Sequence, residues 1–165
     1  MYYNGAHWMR IEGEVTTSDA DGNIYGTVEI GGLEWMTSNL RVTQLNDGTP
    51  LTMGGSGVPT AADWSALILA AGGQGTAGGR LKEIGLTHWN SPNTGSSNST
   101  GFTARGGGLH DDGVFVLLKD RALYWQSDQS TSLLAIYRFI QAADDAIFLE
   151  GFDKNSVGIS VRCVR

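Results

Sequence analysis

The sequence predicts an α+β fold: one or two helices, mostly antiparallel short strands, and long irregular loops. Three observations carry this. Only one stretch, near residues 60–71, repeats its apolar residues at helical spacing. Several short segments alternate on a period of two, most of them in the C-terminal third. Glycine is 24 of 165 residues against 3 prolines, about twice the usual glycine share, which calls for many turns.

Residues 1–18 read as an N-terminal arm, linker or first strand, with Ile11, Gly13 and Val15 loosely alternating. Asp21-Gly22-Asn23 is a turn signal. Ile24–Ile30 alternates, Gly31-Gly32 turns the chain, and Leu33–Met36 resumes the extended pattern, which predicts a hairpin. Residues 41–57 form a loop rich in Gly, Thr and Asn. Thr60 then suits a helix N-cap, and Asp63 places a carboxylate at the positive helix end. Trp64, Leu67, Ile68 and Ala71 make one apolar helix face, and Gly72-Gly73 ends it.

Residues 72–110 read as loop-dominated. The polar run Ser91–Thr100 has little to bury and belongs on the surface. Strand patterns return at Val114–Leu118, Leu123–Gln126, Ala135–Ile140, Ala146–Leu149 and Gly158–Val164. The last sets Ile159, Val161 and Cys163 on one side and Ser160 and Arg162 on the other.

Composition narrows the function. Lys and Arg number 11 against 17 acidic residues, a net charge of −6, with no basic cluster to contact phosphates. No nucleic-acid partner is expected. No apolar run approaches the roughly 18–20 residues of a spanning helix, so no membrane insertion is expected. Met1–Gly5 carries no basic or apolar leader, so no signal peptide is expected in this chain. One cysteine, Cys163, excludes an internal disulfide and a cysteine-based zinc site.

The candidate chemistry is thin. His7, His88 and His110 have no second His or Cys at ligand spacing, and His110-Asp111-Asp112 reads as a polar turn before Gly113. Asp19-Ala20-Asp21-Gly22-Asn23 resembles the start of a calcium loop, but its glycine and distal Glu are misplaced, so it reads as a turn. Gly-x-Ser-x-Gly is absent, and neither Gly54–Gly57 nor Gly106–Gly108 is followed by the Lys-Ser/Thr of a phosphate cradle. Asp144-Asp145 reads as a solvated turn rather than a glycosidase pair, and Cys163 as a small buried hydrophobe. No catalytic residue, metal or cofactor is expected. Leu133–Ile140 is apolar on both faces, and Ile147–Leu149 and Phe152 repeat the effect. Burial on both sides and an exposed binding patch both account for it.

Several strings together resemble a known family. Asp21-Gly22-Asn23-x-Tyr25-x-Thr27-Val28-x-Ile30-Gly31, then Trp35-Met36-x-x-Asn39-Leu40, is similar to the opening of the Fibrobacter succinogenes major paralogous domain. So are Asn46–Pro50, Val58-Pro59-Thr60-x-x-Asp63-Trp64, Gly78-Gly79-x-Leu81-Lys82-Glu83, His88–Gly95 and Gly101–Ala104. Tyr124-Trp125-x-Ser127 and Gly158-x-Ser160-Val161-Arg162-Cys163-Val164 complete the pattern, which runs from residue 19 to the end. The resemblance implies one C-type lectin-like domain over 19–165, of the group that includes formylglycine-generating-enzyme-like domains. It implies an extracellular binding module on a bacterial surface or phage particle. The carboxylates of calcium-dependent lectins are missing from Trp89-Asn90-Ser91 and Ser91-Pro92-Asn93, as are the cysteines of the formylglycine-generating oxidases.

Between Ala122 and Arg165 the only asparagine is Asn155, where ordinary relatives are Asn-rich. In this the chain resembles the variable proteins of diversity-generating retroelements, whose adenine-directed mutagenesis converts AAC and AAT codons. Those codons reach Leu, Ile, Phe, Val, Ala, Asp, Gly, Ser, Thr or Arg, but not Gln, Glu, Lys, Met or Trp. The resemblance implies a variable region over 122–157 with ligand-binding candidates Leu133, Leu134, Ile136, Arg138, Ile140, Asp144, Phe148, Phe152, Asp153 and Val157. Trp125, Gln126, Gln129, Gln141, Glu150 and Lys154 become fixed scaffold. Ile136, Arg138 and Ile140 would form one row with Leu133, Leu134 and Phe152 close by, while Tyr137 and Phe139 face the core. The implied partner is a protein or cell-surface receptor, with glycan as the other class, and an oligomer is compatible. The alternative is a static surface adhesin or glycan-binding module with Trp89, Asn90 and Asn93 as contacts.

Overall fold

Period-two alternation produces an antiparallel meander at the N-terminal end: β1 (Met9–Ile11), β2 (Glu14–Ser18), β3 (Ile24–Ile30) and β4 (Leu33–Met36). The structure, a computed structural model, describes residues 9–11, 14–19, 21–41, 57–131, 133–153 and 157–165. The expected hairpin forms, with Ile30 opposite Leu33 and Gly31 and Gly32 both at positive φ, as a two-residue turn requires. The arm is not a free linker at its end, because β2 pairs with β3. Asp19 closes the next turn: its carboxylate accepts from Asn23 N, Asn23 Nδ2 and the Tyr25 hydroxyl. The carboxylate thus serves the turn itself, as read from the sequence. His7, residues 42–56 of the stretch expected as loop, and residues 154–156 lie outside the described residues.

Helix α1 (Ala61–Ala70) starts as read. Thr60 Oγ1 accepts from Asp63 N at 3.2 Å, and Thr60 N donates to Asp63 Oδ2 at 2.8 Å, a reciprocal capping box. Trp64, Leu67 and Ala71 are buried, with Ile68 packed at their margin. A second helix, α2 (Gln74–Leu81), lies where the composition pointed to loop. Its sequence is a poor helix former, but the site demands glycine. A Cβ on Gly78 would sit 2.2 Å from Ala146 O, and one on Gly79 would sit 2.5 Å from Gly95 O. The helix backbone itself docks there, with Gly79 N donating to Asp145 O at 2.9 Å.

The C-terminal part carries two small antiparallel sheets. One has the order β10-β5-β6, from β5 (Leu109–Asp111), β6 (Val114–Val116) and β10 (Val157–Gly158). The other has the order β7-β8-β9, from β7 (Arg121–Gln129), β8 (Leu134–Gln141) and β9 (Ile147–Asp153). His110-Asp111-Asp112 leads into the tight β5–β6 turn, with Asp112 and Gly113 at positive φ. The main core gathers Trp35, Trp64, Phe102 and Tyr124, ring centroids 5.1 to 6.2 Å apart, between α1, β4 and the inner end of β7–β9. Among the described residues no helix is long and apolar enough to cross a membrane.

The tail departs from the alternation read for Gly158–Val164. Only Val157–Gly158 is a strand; beyond it the chain makes single bridges, Ser160 with Tyr124 and Val164 with Trp35. The tail's most buried side chain is a charged one, while Ile159, Ser160, Val161 and Cys163 are all half-buried. Arg162 is fully buried, donating to Asn39 Oδ1, Met36 O and Phe102 O, with its guanidinium over the Phe102 ring. A buried guanidinium is tolerated because its donors are met. Arg162 thereby ties the tail to both halves of the molecule. Cys163 is half-buried, and burial pushes its thiol up to about 11.

Candidate ligand-binding face

Side chains alternate across a strand, so register decides which candidates meet. In β8, Leu134 pairs with Asp153, Ile136 with Gly151, Arg138 with Leu149, and Ile140 with Ile147. These pairs occupy one face. Ala135, Tyr137 and Phe139 occupy the other, opposite Phe152, Glu150 and Phe148.

The first face changes character along its length. At the inner end Ile140 and Ile147 are fully buried, covered with Ala77 and Leu81 of α2. At the outer end Leu134 is 41% exposed, Leu149 is 49% exposed, and Gly151 and Asp153 are open. Ile136 and Arg138 stand half-buried between them. Gly151, without a side chain beside Ile136, leaves a shallow floor on the two strands. The rim is an irregular stretch of β7 between Trp125 and Gln129, where the register shifts. Such bulges re-aim side chains at sheet margins. Its buried Gln126 accepts from Arg138 Nε at 3.2 Å, and Asp128 draws on the Arg138 charge while capping α1 through Ala61 N. Partial burial pulls the Arg138 pKa below the ordinary guanidinium value, with Asp128 opposing.

The structure thus brings Leu134, Ile136, Arg138 and Asp153 onto one open surface, with exposed Leu133 preceding it. Five other candidates go elsewhere. Ile140 on the same row is core, because α2 covers that end of the strand. Asp144 sits in the turn after β8, roughly 20 Å from Leu134 at about 3.3 Å per residue; its Oδ1 accepts from Ala146 N and its carbonyl from Lys82 Nζ. Phe148 and Phe152 lie on the opposite face, stacked on Phe139 and Tyr137 with ring centroids 4.9 Å apart in each pair. Phe152 therefore does not join the Ile136–Arg138 row. Val157 packs with Ile159 and Val161 over that second aromatic cluster. Tyr137 and Phe139 face the core as expected. So Leu133–Ile140 is buried on both sides at its inner end and open on one side at its outer end.

Leu149 is the member of the face that sequence reading left out. Its signal was present: it lies in the apolar run Ile147–Leu149, and Leu is in the codon-reachable set. The contacts of the alternative adhesin do not fare as well. Trp89 is buried with Nε1 donating to Ala104 O at 2.9 Å. Asn93 is buried, its amide donating to Glu83 O and Gly85 O. Both brace the long loop from within, and Asn90 alone is exposed, donating to Asp120 at 2.7 Å. Among the described residues no three His, Cys, Asp or Glu side chains gather as a metal site would need.

Residues 54–165 match the family model of the Fibrobacter succinogenes major domain. The motifs at Asp21–Leu40 and Asn46–Pro50 precede the matched span. No curated protein and no solved structure matches the chain.

Proposed function

The chain belongs to the Fibrobacter succinogenes major domain family, and from that premise we propose that it is a non-enzymatic binding protein on a C-type lectin-like scaffold. It displays retroelement-diversified side chains on the outer end of the β7–β8–β9 sheet. The ligand is a protein or cell-surface receptor met outside the cell, on a bacterial surface or a phage particle. One observation carries the reading. Leu134, Ile136, Arg138 and Asp153 share one open face on two paired strands, while the other face and the inner end are packed. Substitutions on such a face change what is bound without disturbing what folds. Apolar side chains around a partly desolvated Arg are effective interface anchors. Gln126, out of reach of adenine substitution, holds Arg138 from beneath.

The test is on DNA. The gene and its flanks are sequenced for an imperfect second copy of the segment coding for 122–165. The expected result is a copy differing almost only at adenines, with codons 134, 136, 138 and 153 among the mismatches. Flanks with no such copy and no reverse transcriptase gene overturn the proposal.

A further inference from the structure

Away from that face, β6 has features that a solvated monomer avoids. It is the edge strand of its sheet, and all three of its residues are exposed. The run continues past the strand. Val114, Phe115, Val116, Leu117 and Leu118 are all exposed, from 37% to 63%. Soluble proteins guard sheet edges with charge, proline, bulges or short length; this run has no charge and no proline, and its three-residue strand is its one guard. Beside it lies a cleft of about 250 Å³ lined by Gly107, Gly108, His110, Phe115 and Gly158 among others. At typical side-chain areas the run offers roughly 400 Å² of apolar surface, the size at which an exposed patch usually serves an interface.

The charges at its ends say what covers it. Asp111 ends β5 beside Val114, Asp112 stands in the turn to β6, and Lys119 stands after the run. Among the described residues none of the three has a side-chain partner within the chain. Asp120, next to Lys119, is already engaged by Asn90. The edge is thus acidic at one end, basic at the other and apolar between, which is self-complementary under a two-fold axis. We propose that β6 pairs antiparallel with β6 of a second copy of this chain, joining two three-stranded sheets into one. A two-fold axis near Phe115 sets the acidic β5–β6 turn of one copy at the Lys119 end of the other, although the chain turns away from the strand at Leu117. Two such patches with their edge backbones approach the ~1,000 Å² of a specific interface.

The test is the solution mass of the full chain by light scattering up to about 200 µM, where a Kd in the tens of micromolar is visible. The expected mass rises with concentration from 17.6 kDa towards twice that value. Phe115→Glu, at an exposed position, should remain monomeric with an unchanged circular dichroism spectrum and a melting temperature lowered by no more than the loss of its edge-on contact with His110 allows. Lys119→Glu should weaken the dimer, and adding Asp111→Lys and Asp112→Lys should restore it. A wild-type monomer across the range overturns the proposal. So does a dimer that survives Phe115→Glu, because it would use another surface.

Discussion

Arg138 donates from Nε to Oε1 of Gln126 at 3.2 Å, joining β8 to the irregular stretch of β7. Gln126 is buried, whereas Arg138 is half in solvent. The pair marks the boundary between the packed interior and the open end of the face. Two residues further along the same row, Ile140 is fully buried. One strand face is therefore open to solvent at one end and part of the core at the other.

That gradient sets a stability contrast. Ile140→Ala should cost about 2–5 kcal/mol, as buried Ile truncations do. Leu134→Ser and Leu149→Ser should stay within about 0.5 kcal/mol, as exposed positions do. Urea denaturation of the three variants measures it. Equal losses would place the outer positions in the core.

Gly78 is a helix residue that alanine should harm. Alanine normally gains about 1 kcal/mol over glycine in a helix. Here its methyl would lie 2.2 Å from Ala146 O, so Gly78→Ala should destabilise by about 1–3 kcal/mol through overpacking. A stabilised variant in thermal unfolding would show that α2 does not dock against the Asp145–Ala146 turn.

Lys82 is buried beneath that turn, its Nζ donating to Gln141 O at 3.1 Å and Asp144 O at 2.8 Å. Burial pulls its pKa down to about 8, against the attraction of Asp145 and Asp144. Between pH 8 and an unfolded value near 10.5, the unfolded chain binds the extra proton, so this group makes the fold more stable as pH rises. Lys82→Met leaves two carbonyls without their donor and should cost about 1–3 kcal/mol. The wild-type advantage over Lys82→Met should grow from pH 8 to 10 in chemical denaturation. An advantage that shrinks over that range would refute the assignment.

Cys163 should be a poor nucleophile at neutral pH, because burial pushes its thiol up to about 11. Its alkylation rate by iodoacetamide should still be climbing at pH 10. A rate already level by pH 10, as a thiol with the ordinary value of about 8.5 gives, would contradict this.

Where local chemistry decides, the sequence was readable. The Thr60–Asp63 capping box, the Trp64–Leu67–Ala71 face and the Gly31-Gly32 turn are short-range signals. Where a distant contact decides, it was not. α2 exists because bare glycine backbone fits against Ala146 and Gly95, which propensity cannot anticipate. Arg162 is a core residue because its acceptors come from residues 36, 39 and 102, which alternation along the tail cannot reveal. The site divides the same way. Alternation correctly put Ile136, Arg138 and Ile140 on one face. It could not show that α2 covers Ile140, or that Phe148 and Phe152 stack on the reverse side.

The most direct test of a display surface on a fixed scaffold is a stability scan of every single substitution over residues 133–153, read by protease resistance. The account predicts broad tolerance at Leu134, Ile136, Arg138, Leu149 and Asp153. It predicts intolerance at Ala135, Tyr137, Phe139 and Ile140. Outer positions as intolerant as Ile140 would make the surface part of the core and contradict the account.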